Sequence, residues 1–367
     1  MTTDEIAVQE NAVPSAFSPE GGIRVIIFAA AFLVPLFFLP FTQDPLFGKI
    51  ILIEIAALAA GALWLVGTLI SKRIVYRKSP LNAGLAVLAI TVLAAAIASA
   101  APWSSFWGND PTGEKAASVL ALAVLAFVAA AVLKAADARR IAGVLLSSFA
   151  LLGAVVLGAL VLGKFGITPP PWLITNPVGT VNALALVLAA GFILAITLSI
   201  TAAAPDGRPR ISRPLAIFSS VVSLLLLGVL LFIGFRMVWI GIALIISTLI
   251  ALHSARRSDD DGRLLGPRSL AIAFLLIILS LFFAFRGVPF AGIVFQPPLE
   301  VSPSLSGTLT IAAKVMREDP LLGIGPANFR SAFSRFREPV INQTPFWQVR
   351  FEHGFSYLAT APSTLGV

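Results

Sequence analysis

The residue with the most chemistry to offer in this 367-residue chain is Arg236, in Ile233-Gly234-Phe235-Arg236-Met237-Val238-Trp239, where one charge interrupts a long apolar stretch. A guanidinium there can grip a phosphate through two parallel N–H bonds, or it can serve as an anchor among lipid headgroups. The spacing leaves both open. A second gathering of guanidinium groups, Arg330, Arg335, Arg337 and Arg350, follows the Pro/Gly-rich turn Asp319–Phe329 and leads to Glu352 and His353. A third feature is Asn176-Pro177-Val178-Gly179-Thr180-Val181-Asn182, whose two amides and turn put backbone N–H groups at a helix start. That arrangement suits an anion, and ordinary helix capping explains it nearly as well. Other matches are weaker. Gly158–Lys164 spells most of a phosphate-binding loop, but Phe165 stands where Ser or Thr must hold magnesium. Asn342-Gln343-Thr344 is a glycosylation tripeptide followed by Pro345, and one tripeptide says little. With no Cys and two His, disulfides, Cys-ligated metals and His-rich metal sites are excluded, and no cofactor is implied.

The elements that must position these residues are membrane spans. The chain is 58% apolar and 12% charged, with a mean hydropathy of +0.94; soluble domains carry about 25% charged residues. Apolar runs of span length predict an all-α, polytopic transmembrane helical bundle of nine spans, at about 23–41, 50–70, 81–101, 116–133, 141–162, 182–202, 215–233, 238–253 and 269–285. Because Arg236 leaves almost no loop between two spans, a broken or re-entrant hairpin there is the alternative. An arginine left at bilayer depth costs about 2.5–3.5 kcal/mol, so its place is informative. Glu54, inside the second span, is a functional-site hypothesis for the same reason. The plainer reading is that it reaches the boundary and pairs with Lys49. Small-residue runs such as Ala94-Ala95-Ala96 are read as close helix packing.

Charge sets the orientation. The connections around 72–78, 134–140, 208–213 and 256–268 hold fourteen Lys and Arg, while the alternate short connections hold four: Lys49, Lys115, Lys164 and Arg236. The positive-inside rule makes the first set cytoplasmic and the N-terminus with it. Trp103, Trp107 and Trp172 then fall at the outer interface. Residues 1–22 read as a disordered cytoplasmic tail without a cleavable leader, 23–285 as the membrane domain, and 286–367 as an extracytoplasmic amphipathic loop of short helices. Seven of the chain's Lys and Arg lie in that loop, where they have no topogenic use, so the net charge of +8 is divided between orientation and an anionic partner at the outer leaflet. Neither share forms a folded basic domain, which argues against nucleic acid. Leu358–Val367 begins to read as a further apolar helix, which suggests a chain truncated before additional spans.

In these residues the sequence resembles the bacterial O-antigen ligase/polymerase family of membrane glycosyltransferases. Met316–Phe329 resembles its short helix followed by "PLLG-x-G-x-x-x-F", and Phe106-Trp107-Gly108 its Trp-Gly turn before a span. Asn176–Asn182 is similar to its Gly/Asn-rich entry to a central span. Phe235–Trp239 is similar to its "S-R-x-x-W" element, with Phe235 replacing the serine. The resemblance covers about residues 100–367, and the order and sidedness of the motifs carry it. Two positions depart. Ser306-Gly307-Thr308-Leu309 lacks the arginine usual before "PLLG", and His353 lies one residue out of register with the family's late His-Asn-x-x-Leu element.

The resemblance implies an enzyme of the inner membrane that moves an oligosaccharide from undecaprenyl diphosphate to a lipid or glycan acceptor, without metal or nucleotide. This would be cell-envelope polysaccharide or lipopolysaccharide biosynthesis. Charge growing on the leaving diphosphate must then meet arginines in a dehydrated pocket, and a base must take the acceptor proton. Arg236 is the first clamp on this reading. Arg330, Arg335, Arg337 and Arg350 form the pool for a second, Asn176 and Asn182 add substrate contacts, and His353, or failing it Glu352, is the base. Two rival classes remain: a transporter or flippase for an anionic lipid-linked substrate, and a non-catalytic scaffold. A transporter should show inverted repeats and midplane polar residues, and neither is visible.

Overall fold

The computed structural model describes residues 18–39, 41–42, 44–74, 78–108, 114–167, 176–202, 211–256, 266–289 and 301–366. Most of the N-terminal tail, Trp172 and several of the basic connection residues (Arg77, Arg208, Arg210, Arg257 and Arg263) lie outside the described residues. Every regular element among the described residues is helical, and the protein is a polytopic helical membrane bundle. Seven helices are long and apolar enough to cross a bilayer: α1 (Pro19–Leu36), α2 (Pro45–Ser71), α3 (Pro80–Ala98), α6 (Ala135–Lys164), α7 (Val181–Thr201), α8 (Arg213–Ile233) and α10 (Pro267–Arg286). Two shorter apolar segments, α5 (Ala116–Val132) and Arg236–Leu252 within α9 (Arg236–Arg256), fill the remaining expected places. The short helix α4 (Pro102–Trp107) precedes α5. The chain ends in α11 (Leu305–Glu318), α12 (Phe329–Phe336), a 3-10 turn (Pro339–Gln343) and α13 (Tyr357–Leu365).

Caps and prolines explain where the boundaries differ from the hydropathy reading. α1 starts four residues early because the Ser18 hydroxyl accepts from the Gly21 N–H and Pro19 suits the first helical position. It also stops early, at Leu36. Pro35 lies in its last turn, and the Lys49 ammonium donates to the Val34 and Pro35 carbonyls at 2.7 and 2.9 Å. These carbonyls have no helical partner, and a buried cation satisfies them. α6 begins at Ala135 because the Asp137 carboxylate accepts from the Lys134 N–H at 3.0 Å.

Two half-bundles meet along α1 and α6. In the first, α1, α2 and α5 close over Ile23, Ile27, Ala60 and Val128, with α3 packed on α5. In the second, α6 to α10 share a larger core that includes Leu188, Phe192, Leu226 and Ile242. A Ser148 to Phe32 carbonyl bond of 2.7 Å joins the halves. Gly191 fixes the approach of α7 to α6, since a Cβ there would stand 2.7 Å from the Phe149 ring. Gly191→Val should therefore cost about 1–3 kcal/mol by overpacking, read as a lower Tm in detergent. Gly228→Val, with nothing within 4 Å of its Cβ position, is the control.

The α8–α9 junction is a break between two long helices. α8 ends at Gly234 in the left-handed conformation (φ 68°), and α9 restarts two residues later. The two helices then splay, α8 packing on α6 and α7, and α9 on α10 and α7. Glycine at that turn is required by the positive φ.

Candidate functional site

The chemistry-bearing residues form two separate places. The first is built on α9 and α10. Arg236 opens α9, so its side chain stands at a helix N-terminus, exposed. Its guanidinium lies across Gly287, whose Cβ position is 3.1 Å from Nη2 and 3.3 Å from Nε. Gly287 has φ +79° and closes α10, so the glycine provides both the turn and the room. Arg286 precedes it, also exposed. One turn into α9, Trp239 is 1% exposed and packs on Phe283 at 4.9 Å, and its indole N–H has no hydrogen-bond partner. Neither Arg236 nor Arg286 forms an ion pair among the described residues. The patch therefore offers two unneutralised guanidinium groups and a helix N-terminus where two lipid-facing helices end. Arg286 is the residue that sequence reasoning counted only as loop charge.

The second place is the C-terminal module. α11 buries Thr308, Ile311, Ala312 and Val315, and α12 buries Phe329, Ala332 and Phe333, giving the module its own small core. The first helix of the module starts at Leu305 because the Ser304 hydroxyl accepts from the Gly307 N–H. Three of the four pooled arginines are engaged inside the module. Arg330 meets Glu352 at 2.9 Å, and Arg335 meets Glu318 at 2.8 Å and covers the Phe336 ring. Arg337 donates to the Trp347 carbonyl at 2.8 Å. Arg350 makes no ion pair among the described residues. Glu352 thus has its charge answered by Arg330.

His353 lies in the turn that follows. That turn is pinned at Gly354, whose N–H donates to Thr360 Oγ1 at 3.1 Å, and at Phe355, whose N–H donates to Thr308 Oγ1 at 2.9 Å. Thr308, where the resemblance leads one to expect an arginine nearby, therefore holds the His353 turn in place. The imidazole keeps an exposed edge, and desolvation by the surrounding chain lowers its pKa below 6.5. It is then neutral near pH 7, the form able to accept a proton.

No contact among the described residues joins Arg236 to His353 or to the module arginines. The module rests instead on α3 and α4 through Ser99, Ser105 and Asn328. Asn176 serves its own turn, donating to the Gly179 carbonyl at 2.8 Å and accepting from the Val178 N–H. Thr180, not an asparagine, caps α7 through the Ala183 N–H, and Asn182 sits in the first turn of that helix.

The Glu54 reading needs correction. Lys49 is five positions away, about 140° around a helix of 3.6 residues per turn, and is committed to α1. Glu54 pairs instead with Lys115 at 3.0 Å and accepts from Ser118 at 2.8 Å, both at the start of α5. It is a satisfied bridge between helices. Next to it is an acid that sequence reasoning passed over. Burial pushes Glu114 up to about 7, and its charge helps raise the Tyr357 phenol, after desolvation. Because the folded chain holds this proton more tightly than the unfolded one, Glu114 favours folding below pH 4.5 and loses that contribution as pH rises through about 7. Glu114→Gln should flatten this part of the pH dependence, with a higher Tm than wild type at pH 8. Equal pH profiles for the two proteins would refute it.

Among the described residues no group of His, Asp and Glu is placed to hold a metal ion. Compared with protein-family models, curated proteins and solved structures, the chain matches none of them.

Proposed function

We propose that the protein is a membrane transferase that moves an oligosaccharide from undecaprenyl diphosphate to an acceptor hydroxyl at the outer face of the bacterial cytoplasmic membrane. The observation that carries the reading is Arg236: an exposed guanidinium at a helix N-terminus, backed by Gly287 and beside Arg286, with no ion-pair partner among the described residues. A lipid diphosphate has its charge at this boundary and its polyprenyl chain in the bilayer, so it can meet the arginines while the chain lies along the apolar flank of α9 and α10. As the glycosidic C–O bond breaks, negative charge grows on the diphosphate, and fixed guanidinium groups stabilise that charge without reorganising. His353, neutral and partly open, is the acceptor-side base of this proposal. In the bundle as it stands it belongs to the module, so substrate must bridge the two places.

The orientation supports the same reading. The positive-inside rule assigns the fourteen basic residues counted in sequence to the cytoplasm, and the alternation of spans then leaves Arg236 and the module outside. Glu54, partly buried, is bonded to both Lys115 and Ser118, so it offers a proton-coupled transporter no free carboxylate. The test is transfer in membranes supplied with undecaprenyl-diphosphate oligosaccharide, with the glycan followed by mass spectrometry. Glycan leaving the lipid diphosphate is the expected result. Intact donor after incubation with folded protein and both lipid and glycan acceptors would overturn the reading.

A further inference from the structure

The module contains a cavity of about 340 Å³ between the start of α11, the end of α12 and the 3-10 turn. Ligand-sized pockets begin at about 300 Å³. Its lining has a distinct chemistry. Phe333, Phe336, Phe346 and Phe351 supply aromatic surface, and Ser302, Ser304, Ser306, Thr310 and Thr344 supply hydroxyls. Its one cation and one anion are adjacent, Arg337 and Glu338. From this cavity we infer a binding site for one or two sugar units of a neutral glycan, a reading that rests on the proposed transferase function and assigns the module the glycan end of its substrate.

Three features select that class of ligand. A pyranose ring is apolar on its C–H faces and polar around its edge, and a pocket that alternates phenyl rings with hydroxyls matches both. The lining charges cancel, so a phosphate dianion finds no net attraction here, unlike at Arg236. Arg337 is also held as part of the wall: it donates to the Trp347 carbonyl, and its guanidinium carbon stands 6.0 Å from the Phe333 ring centre. An acyl chain is disfavoured by Ser302 and Thr310, whose hydroxyls have no protein partner among the described residues and would be stripped of water. The wall itself is fixed. Ser304 caps α11 and lies 3.1 Å from the Ser306 hydroxyl, while Lys314 donates to the Phe336 carbonyl at the end of α12. A site made before the ligand arrives loses little entropy on binding.

The experiment uses the full chain in lipid nanodiscs, labelled and applied to a printed array of free bacterial and plant glycans. Ser306→Trp fills the cavity from an exposed position on α11, and Ser306→Ala leaves it open. Wild type and Ser306→Ala should bind a common set of glycans, and Ser306→Trp should lose about tenfold in affinity, or about 1.4 kcal/mol. Equal thermal midpoints for the three proteins establish that the plug has not unfolded the module. No glycan bound by wild type, or equal binding by Ser306→Trp, overturns the inference. Arg236→Ala should bind as wild type does, because the cavity is separate from that arginine. Glycan binding through the cavity with no transfer would therefore remove the transferase reading alone, and transfer that Ser306→Trp leaves unchanged would remove the cavity alone.

Discussion

Arg236→Ala should lower the single-turnover rate of glycan release from undecaprenyl diphosphate by about 10²–10³, the loss typical of removing one donor aimed at developing charge. The fold should not suffer. The side chain is exposed and rests on a glycine, so its removal leaves no cavity and no stranded partner. Substitutions of that kind stay within about 0.5 kcal/mol. Arg236→Lys keeps the charge and loses the two-pronged grip, and should fall between wild type and alanine. Arg286→Ala, on the last residue of α10, should raise KM more than it lowers kcat if that guanidinium meets the diphosphate in the ground state. Equal single-turnover rates for wild type and Arg236→Ala, at equal expression and Tm, would leave the arginine as a headgroup anchor and the transferase reading without its support.

The bundle was legible in the sequence because hydropathy over a span is a local property. Each helix announces itself without its neighbours, and Arg236 announces a boundary because no lipid-facing stretch carries such a charge without a reason. What could not be read was pairing. Arg330 with Glu352 and Arg335 with Glu318 are tertiary ion pairs, and a count of charges in the loop cannot tell an occupied guanidinium from a spare one. Glu54 failed for the same cause: proximity along the chain favoured Lys49, while the fold brought Lys115. Glu114 had no sequence signal at all. An acid beside a lysine in a Pro/Gly turn reads as a solvated turn, and only the surrounding chain shows that water has been removed from it. The α1 ending was legible in part, since Pro35 marks it, but the cation that satisfies its carbonyls comes from another helix.

Gly325→Val should release the C-terminal module from the bundle, the second large effect expected. The stretch Asp319–Phe329, which in sequence is only a structured turn, works as a latch. Gly325 has φ +89°, and its Cβ position is 2.6 Å from both the Ser105 hydroxyl and the Ser99 Cβ. Gly323, at φ +57°, faces the Ser363 carbonyl of α13 at the same distance. A valine at 325 would meet α3 and α4 at once and would also be strained in its own backbone, by about 1–2 kcal/mol. The contact it displaces is specific. The Asn328 amide donates to the Ser99 and Ser105 hydroxyls at 2.9 and 2.7 Å, and Ser99 donates to the Ile324 carbonyl at 3.0 Å. Asn328→Ala removes the amide bonds without adding bulk, at about 1 kcal/mol for each net bond. Limited proteolysis reads the outcome. Gly325→Val should be cut between α12 and α13 much faster than wild type, Asn328→Ala moderately faster, and Leu321→Ala, 74% exposed in the same loop, at the wild-type rate. Because His353 and the sugar-sized cavity both belong to this module, its release should abolish transfer even though Arg236 is untouched. A Gly325→Val protein that resists protease and retains transfer would mean that the module needs no fixed seat on the bundle, and that the two places do not act on one substrate.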